Sequence, residues 1–216
     1  MSYSISGDTK QTIMHTEFFP SVAWLSFAEK QRNITIEVYE KFPKQTYRNR
    51  VLLMSAGGLQ SISVPIKRKS TQILLTKDAE ISYKENWNIR LWRAIYSNYG
   101  KSPFFEYFAS EIEILLRKKY KFLLDLNTAT FLFLKKSFSL SCDISFSSAY
   151  IDQRENNFKD NFQVKDRHKT GINFPVYIQC FYDKIPFECN LSALDLLLCL
   201  GKQEGKTYMD NLSFSL

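Results

Sequence analysis

Residues 11–40, QTIMHTEFFPSVAWLSFAEKQRNITIEVYE, decide the fold. The opening QTIMHTEFF can form a short strand, and the segment after Pro20 suits a helix that starts at a proline. In residues 34–39 the apolar side chains of Ile and Val alternate with Thr, Glu and Tyr, and this period of two is typical of a strand. The stretch therefore predicts a β-α-β unit.

This unit also predicts where a ligand would bind. If its two strands are parallel neighbours, the crossover between them is right-handed and a ligand sits at their carboxyl ends. Residues 17–19 and 39–50 would then flank one crevice. The sequence leaves open whether the sheet is mainly parallel.

The remaining elements follow along the chain. Residues 51–54 and 59–66 flank Gly57-Gly58 and predict a β-hairpin, with a further strand expected at 73–76. Apolar faces with helical spacing predict three successive helices, over 86–99, from 102 to the basic residues at 117–119, and over about 122–138. A late strand at 176–181 and a final helix at 192–200 come last, and the tail after Glu204 is expected to fray.

Together these elements predict an α/β fold. We expect a mixed β-sheet that contains the N-terminal β-α-β unit and the β-hairpin, packed by the central helical segment and the C-terminal helix. With 216 residues, 44% of them hydrophobic, the chain can bury a core as one domain. We therefore expect a single domain over 1–216, with the main body at 10–138, a polar loop or insertion at 152–170, and a C-terminal strand and helix at 174–201.

Charge and composition limit the function classes. Lys and Arg number 29 against 22 Asp and Glu, and the net charge of +7 attracts anions such as phosphates. No apolar stretch approaches the roughly 18–20 residues that cross a bilayer, and no secretory signal is present, so we expect a cytoplasmic protein without a membrane span. The four cysteines lack CxxC spacing and the two histidines lie far apart, so no metal site is predicted. Common nucleotide-binding, hydrolase and metalloprotease motifs are absent, and the sequence leaves the question of a cofactor open.

The segment KQTYRNR, residues 44–50, is rich in side chains that donate hydrogen bonds to phosphate or carboxylate oxygens. A clamp for an anion or a nucleotide sugar could use Lys44, Tyr47, Arg48, Asn49 and Arg50. The alternative interpretation is a solvated basic loop that leads into a strand.

A second candidate lies at the junction of two predicted helices, residues 98–107. Ser102 and Pro103 leave amide groups at a helix N-terminus beside Lys101, an arrangement that can bind anions. The candidate binding residues here are Trp92, Arg93, Tyr99, Gly100, Lys101 and Pro103. The alternative is helix capping over an aromatic core, with Trp92 inside that core and Arg93 outside it.

Two further pairs of residues could carry chemistry. His15 and Glu17 lie on the same side of a strand and could act as a general acid/base pair, although a hydrogen-bonded structural histidine is the alternative. Asn190 and Asp195 could be polar site residues. Ser192 and Asp195, however, have the spacing of a capping box, which explains Asp195 without a function.

Four blocks carry a family resemblance. They are YEKFPKQTYRNR at 39–50, NIRLWRAIYSNYGKSPFFEYF at 88–108, KYKFLLDLN at 119–127 and YIQCFYDKIPFECNLSALDLLLCLG at 177–201. With the hairpin segment ISVPI at 62–66, the chain resembles the WbqC-like family of bacteria, in order and over nearly its whole length.

The resemblance implies a link to the biosynthesis of O-antigen and other surface polysaccharides. The site residues that it implies are Arg48, Asn49 and Arg50 from an Asn-Arg motif, Tyr99, Gly100, Lys101 and Pro103 from a Tyr-Gly-Lys-x-Pro motif, and Asn190 and Asp195 from a late Asn-x-Ser motif. The chain departs from the family's pattern where His15-Thr16-Glu17 replaces His-Gln-Pro, and at Leu91, where relatives tend to have a histidine.

Three functions are weighed. In the leading hypothesis the chain transfers an acyl or aminoacyl group to a nucleotide-linked amino sugar. Arg48, Arg50 and Lys101 bind the diphosphate of this small-molecule substrate, Asn49 orients it, and His15 or Glu17 deprotonates the acceptor amine.

The alternatives involve no chemistry. One is a non-catalytic polyanion or nucleic-acid binding protein, whose affinity would fall steeply with salt, although nucleic acid is not the expected partner. The other is a scaffold protein of a polysaccharide gene cluster. The sequence leaves the oligomeric state open.

Overall fold

The architecture comes from a computed structural model, which describes residues 11–43, 46–67, 73–152, 155–162 and 171–215. The strands are β1 (Thr12–Met14), β2 (Asn33–Ile36), β3 (Arg50–Ser55), β4 (Gly58–Ser63) and β5 (Asp143–Phe146). The α-helices are α1 (Val22–Gln31), α2 (Trp87–Tyr99), α3 (Phe105–Arg117), α4 (Leu123–Phe138) and α5 (Ala193–Asp210), and Thr76–Asp78 form a 3-10 turn.

A parallel sheet forms from strands that are distant in sequence. Its order within the described residues is β1-β2-β5, and both neighbouring pairs run parallel, with Ile34 of β2 between Thr12 of β1 and Ile144 of β5. The helix α1 connects β1 to β2, so the predicted β-α-β unit is confirmed, and the open question of strand direction is answered as parallel.

The predicted hairpin is confirmed as a separate antiparallel pair, β3-β4. Ser55 pairs with Gly58 across its turn, and Gly58 adopts a φ of 95°, a left-handed conformation that glycine tolerates without a steric cost. With the three-stranded sheet, the hairpin and the helices around them, the expected α/β fold with a central helical segment and a C-terminal helix is confirmed.

Three local predictions are wrong. Residues 176–181 contain no strand but run as an irregular segment that ends in a turn, because their alternating side chains contact a helix rather than a neighbouring strand. Residues 73–76 contain only an isolated bridge at Leu75 before the 3-10 turn. The tail after Glu204 does not fray but is helical to Asp210, whereas the predicted end of the 192–200 helix is confirmed by the non-helical φ of 72° and ψ of −168° at Gly201.

One large core joins the sheet to the helices. α5 packs against both α1 and α4, and the largest fully buried side chains include Trp24, Trp87 and Tyr99. The described part of the 152–170 segment is packed as well. Phe158 and Phe162 lie with their ring centroids 4.7 and 5.4 Å from that of Phe27 on α1.

Candidate functional site

The carboxyl ends of the parallel strands carry buried polar side chains. β1 is followed by His15 and Glu17, and β2 is followed by Glu37, whose amide donates to the carbonyl of Met14 at 2.9 Å. The amide of Phe18 donates to the carbonyl of Tyr47 at 2.9 Å. Residue 47 therefore lies beside the end of β1, as the predicted crevice requires.

His15 and Glu17 form a buried pair. Nε2 of His15 lies 2.9 Å from Oε1 of Glu17, and each residue is only 1% exposed. Oε2 of Glu17 accepts the amide of Ser21 at 2.8 Å, which fixes the carboxylate next to the start of α1. Because a carboxylate oxygen only accepts hydrogen bonds, Nε2 is the protonated ring nitrogen.

The other ring nitrogen of His15 is left without a partner in the described part of the chain. Nδ1 is buried and has no hydrogen-bond partner among the residues that the structure describes. The indole of Trp24 donates to the His15 carbonyl at 2.9 Å and so holds the backbone in place. A carboxylate that orients one ring nitrogen while the other keeps its lone pair is the arrangement of a histidine general base.

Asn190 meets the same end of α1 from the C-terminal part of the chain. Its Oδ1 accepts the amide of Ala23 at 2.9 Å, two residues beyond the amide that Glu17 accepts. The residue has a left-handed φ of 52° and is 3% exposed, and its Nδ2 has no partner among the described residues. His15, Glu17 and Asn190 thus converge on one helix end, although they are far apart in sequence.

All the first amides of α1 are bonded internally. Besides the amides of Ser21 and Ala23, the amide of Val22 donates to the carbonyl of Leu191 at 2.9 Å and the amide of Trp24 to Oγ of Ser21 at 3.3 Å. The amides at this helix end therefore hold the side chains of Glu17 and Asn190 in place and are not free to bind an anion.

Asp195 is the centre of a second buried network. Its Oδ1 accepts the hydroxyl of Tyr99 at 2.8 Å, and its Oδ2 accepts that of Tyr177 at 2.5 Å and the side-chain amide of Gln179 at 3.3 Å. The hydroxyl of Tyr99 in turn accepts the amide of Met54 in β3 at 2.9 Å. The network joins the hairpin, α2, α5 and the segment before α5.

Burial controls the protonation of this network. Desolvation raises the pKa of Asp195 above its ordinary value, although the hydrogen bonds that the carboxylate accepts act in the opposite direction. Desolvation, together with the charge of Asp195, raises the pKa of Tyr99 and of Tyr177 well above the ordinary value. Both tyrosines therefore remain hydrogen-bond donors at neutral pH.

Sequence reasoning missed Tyr177 and Gln179. Both residues face Asp195, whereas Val176 and Ile178 between and beside them are 78% and 66% exposed. The sequence signal that could have identified them is the alternation of side chains over residues 176–181, the same pattern that predicted a strand there. Asp195 was predicted as a site residue or as part of a helix cap. Ser192 caps α5 through its own hydroxyl, and the Asp195 carboxylate instead accepts hydrogen bonds from the tyrosines.

The basic segment does not form one open clamp. Nε of Arg48 donates to Oε1 of Glu40 at 2.7 Å, and both side chains are largely buried. The side-chain amide of Asn49 donates to the carbonyl of Val64 at 3.0 Å. Arg50 is half-buried, and its Nε lies 3.4 Å from Oγ of Ser63. Tyr47 is buried at 3% exposure, and Lys44 lies outside the described residues.

The helix junction is likewise closed internally. The amides of Ser102, Phe104 and Phe105 donate to the carbonyls of Tyr99, Leu198 and Ser102, so they are not available to an anion. The amide of Gly100 closes α2 on Tyr96. Lys101 and Pro103 are exposed, as is Arg93, whereas Trp92 is half-buried and stacks on Phe105.

The predicted site residues thus fall into three groups. His15, Glu17 and Asn190 meet at the start of α1, and Tyr99 and Asp195 bond directly to each other. The remaining candidates among the described residues either have structural partners or lie at the surface. In the described part of the chain, no three His, Cys, Asp or Glu side chains gather in a way that could hold a metal ion. None of the described helices has the length and apolar composition needed to span a bilayer.

Comparison with known proteins gives one match. A family model described as the WbqC-like protein family matches residues 16–169, which include Glu17, the basic segment and the helix junction. No curated protein and no solved structure matches the chain.

Proposed function

The chain belongs to the WbqC-like protein family, since the family model covers well over half of its 216 residues. From this premise we propose that the protein transfers an acyl or aminoacyl group to the amine of a nucleotide-linked amino sugar. The product would serve the synthesis of O-antigen or another bacterial surface polysaccharide, the process to which the family resemblance points.

The observation that carries this proposal is the buried His15–Glu17 pair with Nδ1 of His15 unpartnered among the described residues. Nδ1 takes a proton from the acceptor amine as its nitrogen attacks the carbonyl carbon of the donor. A nitrogen–carbon bond forms, the bond from the carbonyl carbon to the donor's leaving group breaks, and the imidazolium returns its proton to that group. Glu17 stabilises the imidazolium in between.

Substrate access requires movement at the site. His15 is 1% exposed, so an acceptor amine reaches Nδ1 only when the residues that cover it are displaced. Closing such a site around a substrate excludes water, which would otherwise hydrolyse the donor.

The diphosphate of the substrate would be bound by the basic side chains that are accessible. Arg48 is committed to Glu40, whereas Arg50 is half-buried and Lys101 is exposed. We therefore propose that Arg50 and Lys101 bind the diphosphate. Arg48 and Asn49 instead hold the backbone between residue 47 and β3 in place.

A thermal-shift screen tests this assignment. The purified protein is heated with a uridine-diphosphate-linked amino sugar, with acyl and aminoacyl donors, and with short oligonucleotides, because a ligand raises the melting temperature by mass action. We expect a rise with the nucleotide sugar that is lost in Arg50→Ala and Lys101→Ala and kept in Lys202→Ala, which removes an exposed lysine of α5. A rise with oligonucleotides alone would contradict the assignment.

One observation favours polyanion binding as the second candidate. Tyr96 and Tyr107 are 62% and 79% exposed on α2 and α3, and Arg93 on α2 and Lys101 in the turn between the two helices are exposed as well. Exposed aromatic rings among cations are typical of surfaces that bind single-stranded nucleic acid. The oligonucleotide samples of the screen test this candidate directly.

A further inference from the structure

Exposed lysines gather at one end of the helix pair formed by α2 and α3. The side-chain amide of Asn88 donates to the carbonyl of Leu116 at 3.1 Å, so the start of α2 lies beside the end of α3. The lysines that flank these two helix ends are all exposed. We call them the basic surface, which consists of Lys84, Lys118, Lys119 and Lys121.

Aromatic rings lie beneath three of these lysines. Tyr83 and Tyr120 are bonded to each other, since the Tyr83 hydroxyl accepts the amide of Tyr120 at 2.9 Å and donates to its carbonyl at 3.2 Å. The face of an aromatic ring attracts an ammonium group, so each ring holds its lysine in place while the lysine stays exposed. The distances from Nζ to the ring centroid are 5.1 Å for Lys118 and Tyr120, 6.0 Å for Lys119 and Tyr83, and 4.8 Å for Lys121 and Phe122.

The charge of the basic surface is largely uncompensated. The neighbouring arginines do have partners, since Arg90 pairs with Glu85 at 3.1 Å and Arg117 pairs with Glu113 at 2.6 Å. In contrast, no lysine of the basic surface forms an ion pair with a residue that the structure describes. The exposed Asp125 in the first turn of α4 offsets only one of the four positive charges. The surface therefore attracts anions.

Two aliphatic side chains are exposed beside the lysines. Ile114 is 67% exposed and lies one helical turn before Lys118, on the same side of the chain. Ile89 is 45% exposed in the first turn of α2, next to the same end of α3. Cations beside exposed aliphatic side chains are typical of protein surfaces that lie on an anionic membrane.

We propose that the basic surface binds an anionic lipid bilayer. The ammonium groups contact the phosphates of the lipid headgroups, and Ile89 and Ile114 enter the boundary between the headgroups and the acyl chains. Removal of the two isoleucine side chains from water adds to the electrostatic attraction.

The observations favour a bilayer over a nucleic acid. Single-stranded nucleic acids bind by stacking their bases on open aromatic faces. The rings of Tyr83, Tyr120 and Phe122 are half-buried, and each lies under a lysine. The exposed apolar groups of this surface are aliphatic, so they suit acyl chains and offer no ring on which a base could stack.

The proposal goes beyond the transferase function and uses none of its residues. Neither Arg50 nor Lys101, the residues proposed for the diphosphate, belongs to the basic surface. Lys101 follows the opposite end of α2. Membrane binding can therefore be measured without a substrate, and its failure would leave the transferase proposal untouched.

Sedimentation of the full chain with lipid vesicles tests the proposal. One vesicle sample contains phosphatidylglycerol and phosphatidylcholine in equal parts, and the other contains phosphatidylcholine alone. We expect binding to the anionic vesicles only, with an affinity that falls as salt is added, because salt screens the attraction. Absence of binding to the anionic vesicles, or equal binding to both samples, would overturn the proposal even if every variant failed to fold.

A matched pair of triple variants locates the binding surface. Substitution of Lys118, Lys119 and Lys121 by Glu should lower the affinity for anionic vesicles by about 100-fold or more, since each basic residue contributes about fivefold. The control carries the same net charge, with Glu in place of three exposed lysines outside the basic surface, and should keep most of the binding: Lys136, Lys184 and Lys202. An equal loss in the two variants would contradict the assignment of the surface.

A second pair of variants separates the lipid from other polyanions. Ile114→Ser should weaken binding to the anionic vesicles at unchanged net charge, whereas Leu132→Ser should not, although Leu132 is also exposed, at 51%. A short single-stranded oligonucleotide is titrated in parallel. Undiminished vesicle binding in Ile114→Ser would refute the insertion of this side chain, and an oligonucleotide that displaces the protein from the vesicles through the same three lysines would identify a nucleic-acid surface instead.

Discussion

At the scale of single residues, Asp195 shows what local spacing can and cannot predict. Ser192 is correctly predicted to cap α5, because a cap depends on neighbouring residues. The partners of the Asp195 carboxylate cannot be predicted in this way, since Tyr99 lies on another helix and Tyr177 in an irregular segment. The sequence therefore identified Asp195 as a site candidate but did not indicate that it accepts hydrogen bonds from these tyrosines.

We predict that Tyr177→Phe lowers the free energy of unfolding by about 1.5–3 kcal/mol, since it removes a hydrogen bond to a buried acidic group. Urea denaturation measures the change. Tyr182→Phe is the matched control, because Tyr182 is 68% exposed and its substitution should change stability by no more than about 0.5 kcal/mol. Equal effects of the two substitutions would show that the network does not stabilise the fold.

His15 and Glu17 illustrate a different limit. Their separation by two residues suggested a pair, and the 2.9 Å contact agrees with that interpretation. Asn190 was a candidate for other reasons, and only tertiary structure brings it to the start of α1 beside Glu17. The pair is local enough to predict, whereas the three-residue convergence is not.

At the scale of elements, the period of two at 34–39 predicted β2 and the proline start predicted α1, although α1 is buried on all sides from Val22 to Glu29 and so has no one-sided apolar pattern. β5 was missed because it is short and mostly exposed, so its sequence has little apolar pattern. The helix predicted over 192–200 does stop at Gly201. Gly201 adopts φ 72° and ψ −168°, which are not helical, so the first helical segment of α5 ends there and a second segment continues to Asp210 across the kink.

We predict that Gly201→Ala lowers the free energy of unfolding by at least about 2 kcal/mol. The backbone there is accessible essentially to glycine alone, and an added Cβ would lie 2.6 Å from the ring of Phe104. Thermal and urea unfolding measure the loss. Gly57→Ala should cause none, because the space around Gly57 is open and its backbone needs no positive φ. A stable Gly201→Ala protein would contradict the account of the kink.

The connection between α1 and β5 should depend on pH. Glu29 accepts the amides of Ser141 and Cys142 and the hydroxyl of Ser141, each at 2.9 Å. Burial favours the neutral carboxyl, but these hydrogen bonds outweigh it, so the pKa of Glu29 lies below its ordinary value. A lowered pKa in the folded state means that the contribution to stability is complete above the unfolded pKa of about 4.3 and is lost as pH falls below it.

We therefore predict that Glu29→Gln lowers the free energy of unfolding by about 1–3 kcal/mol at neutral pH. The difference from the unsubstituted protein should shrink as pH falls from about 4.3 through the lowered folded-state pKa. Urea denaturation across this range measures it. Glu113→Gln removes only the exposed ion pair with Arg117 and should change stability by less than about 1 kcal/mol. A Glu29→Gln deficit that does not vary with pH would contradict this explanation.

At the scale of the whole molecule, the parallel order of β1, β2 and β5 gathers the carboxyl ends of strands from distant parts of the chain. The sequence predicted a site at such an edge, and His15, Glu17 and Glu37 do follow those strand ends. It could not predict that Arg48 pairs with Glu40, because both a solvated loop and a clamp are compatible with the same basic residues.

The net charge of +7 leads to a prediction about salt. Affinity for the nucleotide sugar should fall by less than about tenfold between 50 and 200 mM salt, since it involves few phosphates, whereas a polyanion binder with many phosphate contacts loses about 10³–10⁵-fold. Titration calorimetry at both salt concentrations measures the slope. A steep loss would favour the polyanion function.

The most direct test of the central claim is a transfer assay read by mass spectrometry. The protein is incubated with a uridine-diphosphate-linked amino sugar and an acyl or aminoacyl donor, and the acylated sugar is quantified. We predict product with the unsubstituted protein and with Glu113→Gln, and a loss of about 10²-fold or more in Glu17→Gln and in His15→Gln. Absence of product with every donor, or undiminished product in His15→Gln, would contradict the assignment of His15 and Glu17 as the base.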